Sequence, residues 1–259
     1  MSRIIFQKTY IVVLPSFEST AAHKHPFLHL FWGKAGCRID LDHQVLQGDF
    51  LLTGPNVQHA VPTGNGIAFF LLIDPTSHLA EDMQNKYLRD QSCCSIRHSG
   101  FSPMENLNGL SDDQIIRIAE DVLAQLDISP EAGSVADERI EQVIEHIISG
   151  EWLDCSVREI AAKVYLSESR LTHLFKATAG ISLKSYLVIR RLERAYRYIT
   201  SGGQMTRAAH ESGFASSAHL AYTCKKLTGI SASDYSTATI VNDARRLGKS
   251  LRAFVMQIR

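Results

Sequence analysis

SVREIAAKVYLSESRLTHLFKATAGIS, residues 156–182, decides the architecture of the C-terminal half. Ser156 and Glu159 form a capping box: the hydroxyl takes up the amide three residues on, and the carboxylate reaches back to the serine amide. A short helix is expected from there, with Val157, Ile160 and Ala161 inward. Val164, Tyr165 and Leu166 make a turn, and Ser167 caps a second short helix. In that helix Leu171, Leu174 and Phe175 form the buried stripe, while Ser169, Thr172, His173 and Lys176 fall on the opposite side and its flank. Two short helices joined by a tight turn, the second presenting a small polar and basic face, make a helix-turn-helix arrangement.

The stretch occurs twice. At a constant offset of 49, Ser167, Leu171, Lys176, Gly180, Ile181, Ser182 and Tyr186 meet Ser216, Leu220, Lys225, Gly229, Ile230, Ser231 and Tyr235. Two copies are too few for a solenoid, so a paired unit is the better reading. The second copy turns at Gly213, suited to a left-handed backbone, and Phe214 plugs its core. Its second helix buries Leu220, Cys224 and Leu227 and presents Ala218, His219, Tyr222, Lys225 and Lys226. Between the copies, residues 183–202 read as one long helix with Tyr186, Leu187, Ala195 and Ile199 inward. Arg190, Arg191, Arg194 and Arg197 are expected largely outward as a basic rim.

The 259 residues suffice for two domains. Equal numbers of basic and acidic residues, 27 of each, conceal an asymmetry. Residues 1–150 carry 10 basic and 19 acidic side chains and residues 151–259 carry 17 and 8, so the halves stand at −9 and +9. A basic half of this size points to a polyanion as its partner. No apolar run is long enough for a membrane span, and no secretory leader pattern opens the chain, so a cytoplasmic location without membrane contact is expected. Five scattered cysteines lacking a C-x-x-C pair give neither a zinc ribbon nor a disulfide framework.

Residues 136–237 resemble the DNA-binding domain of the AraC/XylS family of bacterial transcription regulators. The likeness is carried by EIA at 159–161, LTHLFK at 171–176, GIS at 180–182, RLERA at 191–195, GF at 213–214 and KKLTGIS at 225–231 with Tyr235. The resemblance implies two recognition helices entering successive major-groove segments. Ser169, Arg170, Thr172, His173, Ser217, His219 and Tyr222 are then expected at base edges, with Ser167, Lys176, Ser216, Lys225 and Lys226 on phosphates. It also implies transcription regulation, including activation, with RNA polymerase and a second copy of the chain as further partners. The sequence departs from the family at His173 and Tyr222, where Arg is common, and at Cys224, Ala232 and Ser236, which stand for Phe, Pro and a basic residue.

The acidic half reads as short strands: 4–6, 10–14, 28–32, 37–41, 49–53 and 67–73, a barrel or sandwich pattern. Residues 75–110 give no secure pattern. Ser111 and Gln114 then cap an amphipathic helix carrying Ile115, Ile118, Ala119, Val122 and Leu126, which either covers the barrel or contributes to a dimer. GDFLLTGPNVQH at 48–59 resembles the second motif of cupin barrels and the sensor domains of AraC-like regulators. Against the cupin metal pattern His23, His25 and His59 match histidines, and His29 stands where a Glu would be. The resemblance and strand alternation together suggest a ligand set for Zn, Cu, Ni or Fe(II), or an effector pocket without metal.

The expected fold is thus two-domain: an all-β cupin-like barrel with a flanking helix for sensing or dimerisation at 1–128, and an all-α tandem helix-turn-helix domain at 137–237. A linker at 129–136 joins them and a basic helical tail spans 238–259. An effector-responsive, DNA-binding regulator that is not an enzyme and requires no cofactor is the first reading. The alternative is a metal-dependent cupin enzyme with an attached nucleic-acid-binding domain. That enzyme needs an acid or base beside the histidines, and Asp40, Asp42 and Asp49 form no motif. No nucleophile elbow, phosphate loop or zinc-protease motif is present in the sequence.

Overall fold

Alternating apolar side chains build the first half as strands. A computed structural model describes residues 3–15, 19–41, 44–61, 67–97, 107–130, 137–231 and 239–242. The strands are β1 (Arg3–Phe6), β2 (Tyr10–Leu14), β3 (Leu28–Leu41), β4 (Gln44–Thr53), β5 (His59–Ala60), β6 (Ile67–Ile73), β7 (Cys93–Ile96) and β8 (Thr239–Asn242). They form one sheet in the order β7-β4-β3-β6-β2-β1-β8, with β5 added on β3. All pairings are antiparallel except β1 with β8. Residues 28–32 and 37–41, which read as two strands, belong to one long β3. The register against β4 slips between Trp32 and Cys37, and Gly36 at φ 84 bends the chain there. A bulge of this kind keeps the ladder while turning the strand, and the sheet curls into a half-barrel.

Both sheet faces are buried. Leu28, Leu30 and Trp32 point to one face with Phe50, Leu52, Phe69 and Leu71. There they meet α1 (His78–Met83) and α2 (Asp112–Gln125). Phe31 points to the other face, the barrel interior, with Leu51, Phe70, Ile39 and Val61. The Ser111/Gln114 capping box forms as expected, and Ile115, Ile116, Ala119, Val122 and Leu123 of α2 commit its apolar stripe to the chain's own sheet. The stretch that gave no sequence pattern holds α1, one π-helical turn at Gln84–Leu88, and β7.

The second half is helical: α3 (Glu138–Ile148), α4 (Val157–Lys163), α5 (Glu168–Ala179), α6 (Leu183–Thr200), α7 (Met205–Glu211) and α8 (Ser217–Thr228). Helix α6 serves two cores. Tyr186, Leu187 and Ile189 join Trp152, Ile160, Leu171 and Phe175 in the first, whereas Leu192, Ala195, Tyr196 and Ile199 join Ala208, Phe214, Leu220 and Cys224 in the second.

Two expectations need correction. The arginines of α6 are not an outward rim. Arg190 and Arg197 side chains are only 10% and 9% exposed, and both pair with Glu193; Arg190 also pairs with Asp74 of the barrel half. Arg194 pairs with Asp154, and Arg191 donates to the Leu153 carbonyl. Helical periodicity reports which way a side chain points, not whether a distant carboxylate waits there. The tail also differs from a helix where it is described: the β-branched run at 239–241 extends as β8 along the open edge of β1. The helix expected over 243–259 and most of the linker lie outside the described residues.

The halves touch at several points. Besides Arg190 and Asp74, the Arg197 guanidinium lies 4.0 Å over the Phe6 ring. Phe27 packs against the first helical core. Ala21 N–H donates to Gly229 O at 3.0 Å, joining the barrel to the end of α8.

Candidate nucleic-acid interface and histidine cluster

Helices α5 and α8 are built alike. Ser167 and Ser216 cap their N-termini, accepting from Arg170 N–H and His219 N–H at 3.2 and 3.1 Å. Gly180 and Gly229 close their C-termini, both at φ 68, where a side chain is strained. On α5, Ser169, Arg170, His173 and Lys176 are exposed on one side, with Ser167 at its start. Thr172 is half-buried, and its hydroxyl bonds back to the Glu168 and Ser169 carbonyls, leaving its methyl and lone pairs for outside contact. On α8, Ser216, His219, Lys225 and Lys226 are exposed, Ser217 is half-buried, and Tyr222 is 65% exposed, far above what packing alone asks of a large ring. Lys226 Nζ lies 5.8 Å over that ring, and His219 meets Phe214 edge-on at 5.4 Å. Each helix thus places its expected base-edge and phosphate residues on the side away from its core.

A helix-turn-helix domain family matches residues 160–238. This stretch is an AraC-type helix-turn-helix domain. The AraC-type domain contains both repeat copies and α6 between them, and its type binds DNA. At the level of the whole fold, the chain is similar to an apo ToxT variant from Vibrio cholerae, at 13% identity over 88% of this chain and 97% of that one, with a TM-score of 0.54. It is also similar to ToxT from the same organism bound to an unsaturated fatty acid, at 15% identity over 88% and 95%, with a TM-score of 0.50. At such identities the likeness is one of fold: a strand-rich half joined to an AraC-type domain. No curated protein matches the chain.

The four histidines singled out in the sequence do come together. β5 pairs with β3, placing His59 beside Leu41, and His23 bridges to His59. His29, on the same face of β3 as Phe31, stacks on Phe70 in the barrel interior. His23, His25 and His59 bring one ring nitrogen each to within 4.8 Å of one another. His29 flanks them, its ring centre 4.6 Å from that of His25 and 4.5 Å from that of His59. All four are buried. Burial first, and for His25, His29 and His59 the neighbouring imidazoles next, lowers their pKa values, well below the ordinary range for His25 and His29 and to about 4 for His59. The cluster is therefore neutral at physiological pH.

Sequence patterns gave no sign of the charged network between the halves. Burial alone would raise the Glu193 carboxyl, but Arg197 and Arg190 more than offset it and hold it down at about 2. Asp74 sits just after β6, 116 residues from Arg190, and no periodic signal links the two. No helix among the described residues is long and apolar enough to cross a membrane.

Proposed function

We propose that the chain is a bacterial transcription regulator that binds duplex promoter DNA through α5 and α8, placed in successive major-groove segments, and answers to an effector held by the half-barrel. The observation that carries this reading is the duplication: two helices with the same serine cap, the same glycine end and the same outward polar face. Ser169, Arg170, Thr172 and His173 read bases from the first helix, and Ser217, His219 and Tyr222 from the second, where a Tyr ring suits a thymine methyl. Lys176, Lys225 and Lys226, with the capped N-termini at Ser167 and Ser216, hold phosphates. A sensor role for the half-barrel is supported by the shared architecture with ToxT, a protein solved with an unsaturated fatty acid bound. A regulator rather than an enzyme is favoured because, among the described residues, no carboxylate joins the histidine group. RNA polymerase and a second copy of the chain are the protein partners that the AraC/XylS resemblance brings.

The test is fluorescence anisotropy of the full chain on duplexes tiled upstream of its own and neighbouring genes, across a salt series. Tight binding to one tile, with a preference that persists as salt rises, is expected. Equal binding to every tile that disappears with salt overturns sequence-specific reading. His173→Ala should weaken the chosen tile more than scrambled DNA, whereas Lys225→Ala should weaken both alike.

A further inference from the structure

The histidine cluster carries more than burial explains. Both nitrogens of His29 and Nε2 of His59 are buried without a hydrogen-bond partner, an arrangement that costs free energy unless something else completes it. The tautomers of two rings are fixed from outside. His23 Nδ1 lies 2.8 Å from Ala21 O and His59 Nδ1 lies 2.8 Å from Val57 O. A carbonyl only accepts, so each Nδ1 carries the proton and each Nε2 is left with a bare lone pair. A ring that donates Nδ1–H to a backbone carbonyl and leaves Nε2 open has the outer-shell arrangement of a metal-ligating histidine. Lone pairs attract a cation and repel a carboxylate, so a fatty-acid head group is the wrong occupant for this spot. Metal–nitrogen bonds of about 2.0–2.1 Å put tetrahedral ligand nitrogens about 3.3 Å apart, so small side-chain rotations close the present spacing.

We propose that His23, His25 and His59, with His29 at their flank, bind one divalent ion from the nickel, copper and zinc end of the first transition row, and that this ion is the effector that acts on both helix-turn-helix units. The class follows from the donor set: the group is all imidazole, without thiolate or carboxylate, which suits these borderline ions and not Mg or Ca.

The route to the helices is short. Phe27 N–H donates to His25 Nδ1 at 3.2 Å, and the Phe27 ring packs against the first helical core. A metal on His25 removes that acceptor whichever nitrogen it takes: on Nδ1 it occupies the lone pair, and on Nε2 it requires the proton to sit on Nδ1. Loading therefore releases the Phe27 amide. On the other side Ala21 stands between His23 and α8, its carbonyl receiving His23 Nδ1–H and its amide donating to Gly229 O. The approach is so close that a Cβ on Gly229 would overlap both Ala21 O and His23 Nδ1. An ion that fixes the His23 ring thus acts on the last turn of the second recognition helix.

The effector half of this inference rests on the DNA-binding reading above; the metal site does not, and the experiment separates them. Full-length protein stripped with chelator is titrated with cobalt chloride and, separately, zinc chloride. Visible absorption, bound-metal analysis and amide hydrogen exchange at Phe27 and Ala21 are followed with duplex anisotropy. One equivalent bound, cobalt bands of a nitrogen-ligated tetrahedral ion, faster exchange at Phe27 and a changed duplex affinity are expected. His59→Gln and His23→Gln should each lose the bands; if a variant does not fold, displacement of cobalt by zinc in the unsubstituted chain supports the site in its place. Failure to take up a stoichiometric ion overturns the site. Uptake without change at Phe27 or Ala21 overturns the coupling. A chain that binds no duplex with or without metal overturns the proposed function instead, while absorption and exchange still decide the site.

Discussion

The first helix-turn-helix unit opens on a complete capping box at Ser156 and Glu159, whereas the second opens at Gln204, whose side chain makes no cap bond. The first core is filled by Trp152, Phe175 and Tyr186; the second is smaller, built around Ala208, Ala209, Phe214 and Cys224. Only in the turn is the second unit better served. Tyr165 holds φ 56 while 96% exposed, and Gly213 takes φ 73 without the Cβ clash. The contrast amounts to a division of labour. Both units share α6 and touch the barrel half, but the first does so through the Phe27 ring on a large apolar core, and the second through the backbone bond from Ala21 to Gly229 at the end of α8.

The largest test of that contrast is Phe175→Ala, which should cost about 3–5 kcal/mol in urea unfolding, because a ring with no exposure leaves a cavity in the better-built core. A loss under about 1 kcal/mol would show the first core to be loosely packed. Next comes pH. The Glu193 carboxyl stands at about 2 in the folded chain against an ordinary 4.5, so its contribution is complete above 4.5 and is lost as pH falls towards 2. That loss is on the order of 3 kcal/mol and should be absent in Glu193→Gln, which calorimetry across this range would detect.

The two C-terminal glycines give a finer pair. Gly180 and Gly229 share φ 68, but a Cβ at Gly180 meets nothing within 4 Å. Gly180→Ala should cost only the left-handed strain, about 1–2 kcal/mol. Gly229→Ala should cost more and also speed amide exchange at Ala21; equal costs would mean that the second unit does not lean on the barrel. Smallest is the cap: Ser156→Ala should cost about 1 kcal/mol, and Gln204→Ala less than about 0.5 kcal/mol.

Local patterns can be read from the sequence because local chemistry makes them. The Ser111, Ser156, Ser167 and Ser216 caps, the strands at 10–14 and 67–73 and the inward stripes of α5 follow from neighbours within a few residues. Long-range partners cannot. The four histidines are visible as residue types, but their convergence needs β5 to pair with β3 and the bridge of His23 to His59. The arginines of α6 are visible as charges, but their burial depends on Asp74, Asp154 and Leu153, which no helical period contains. The β-branched run at 239–241 carries strand preference, yet only the open edge of β1 turns that preference into β8.

That last pairing ties folding to the order of synthesis. β1 leaves the ribosome well over two hundred residues ahead of its parallel partner β8, so between the two β1 presents bare amides and carbonyls on its outer side. At about 5–20 residues per second the gap lasts roughly 10–50 s, long enough for a nascent chain to pair with the wrong strand. The half-barrel gains β8 only after α5 and α8 have been made, so a chain truncated after α8 would carry both helix-turn-helix units beside a half-barrel whose β1 edge is open.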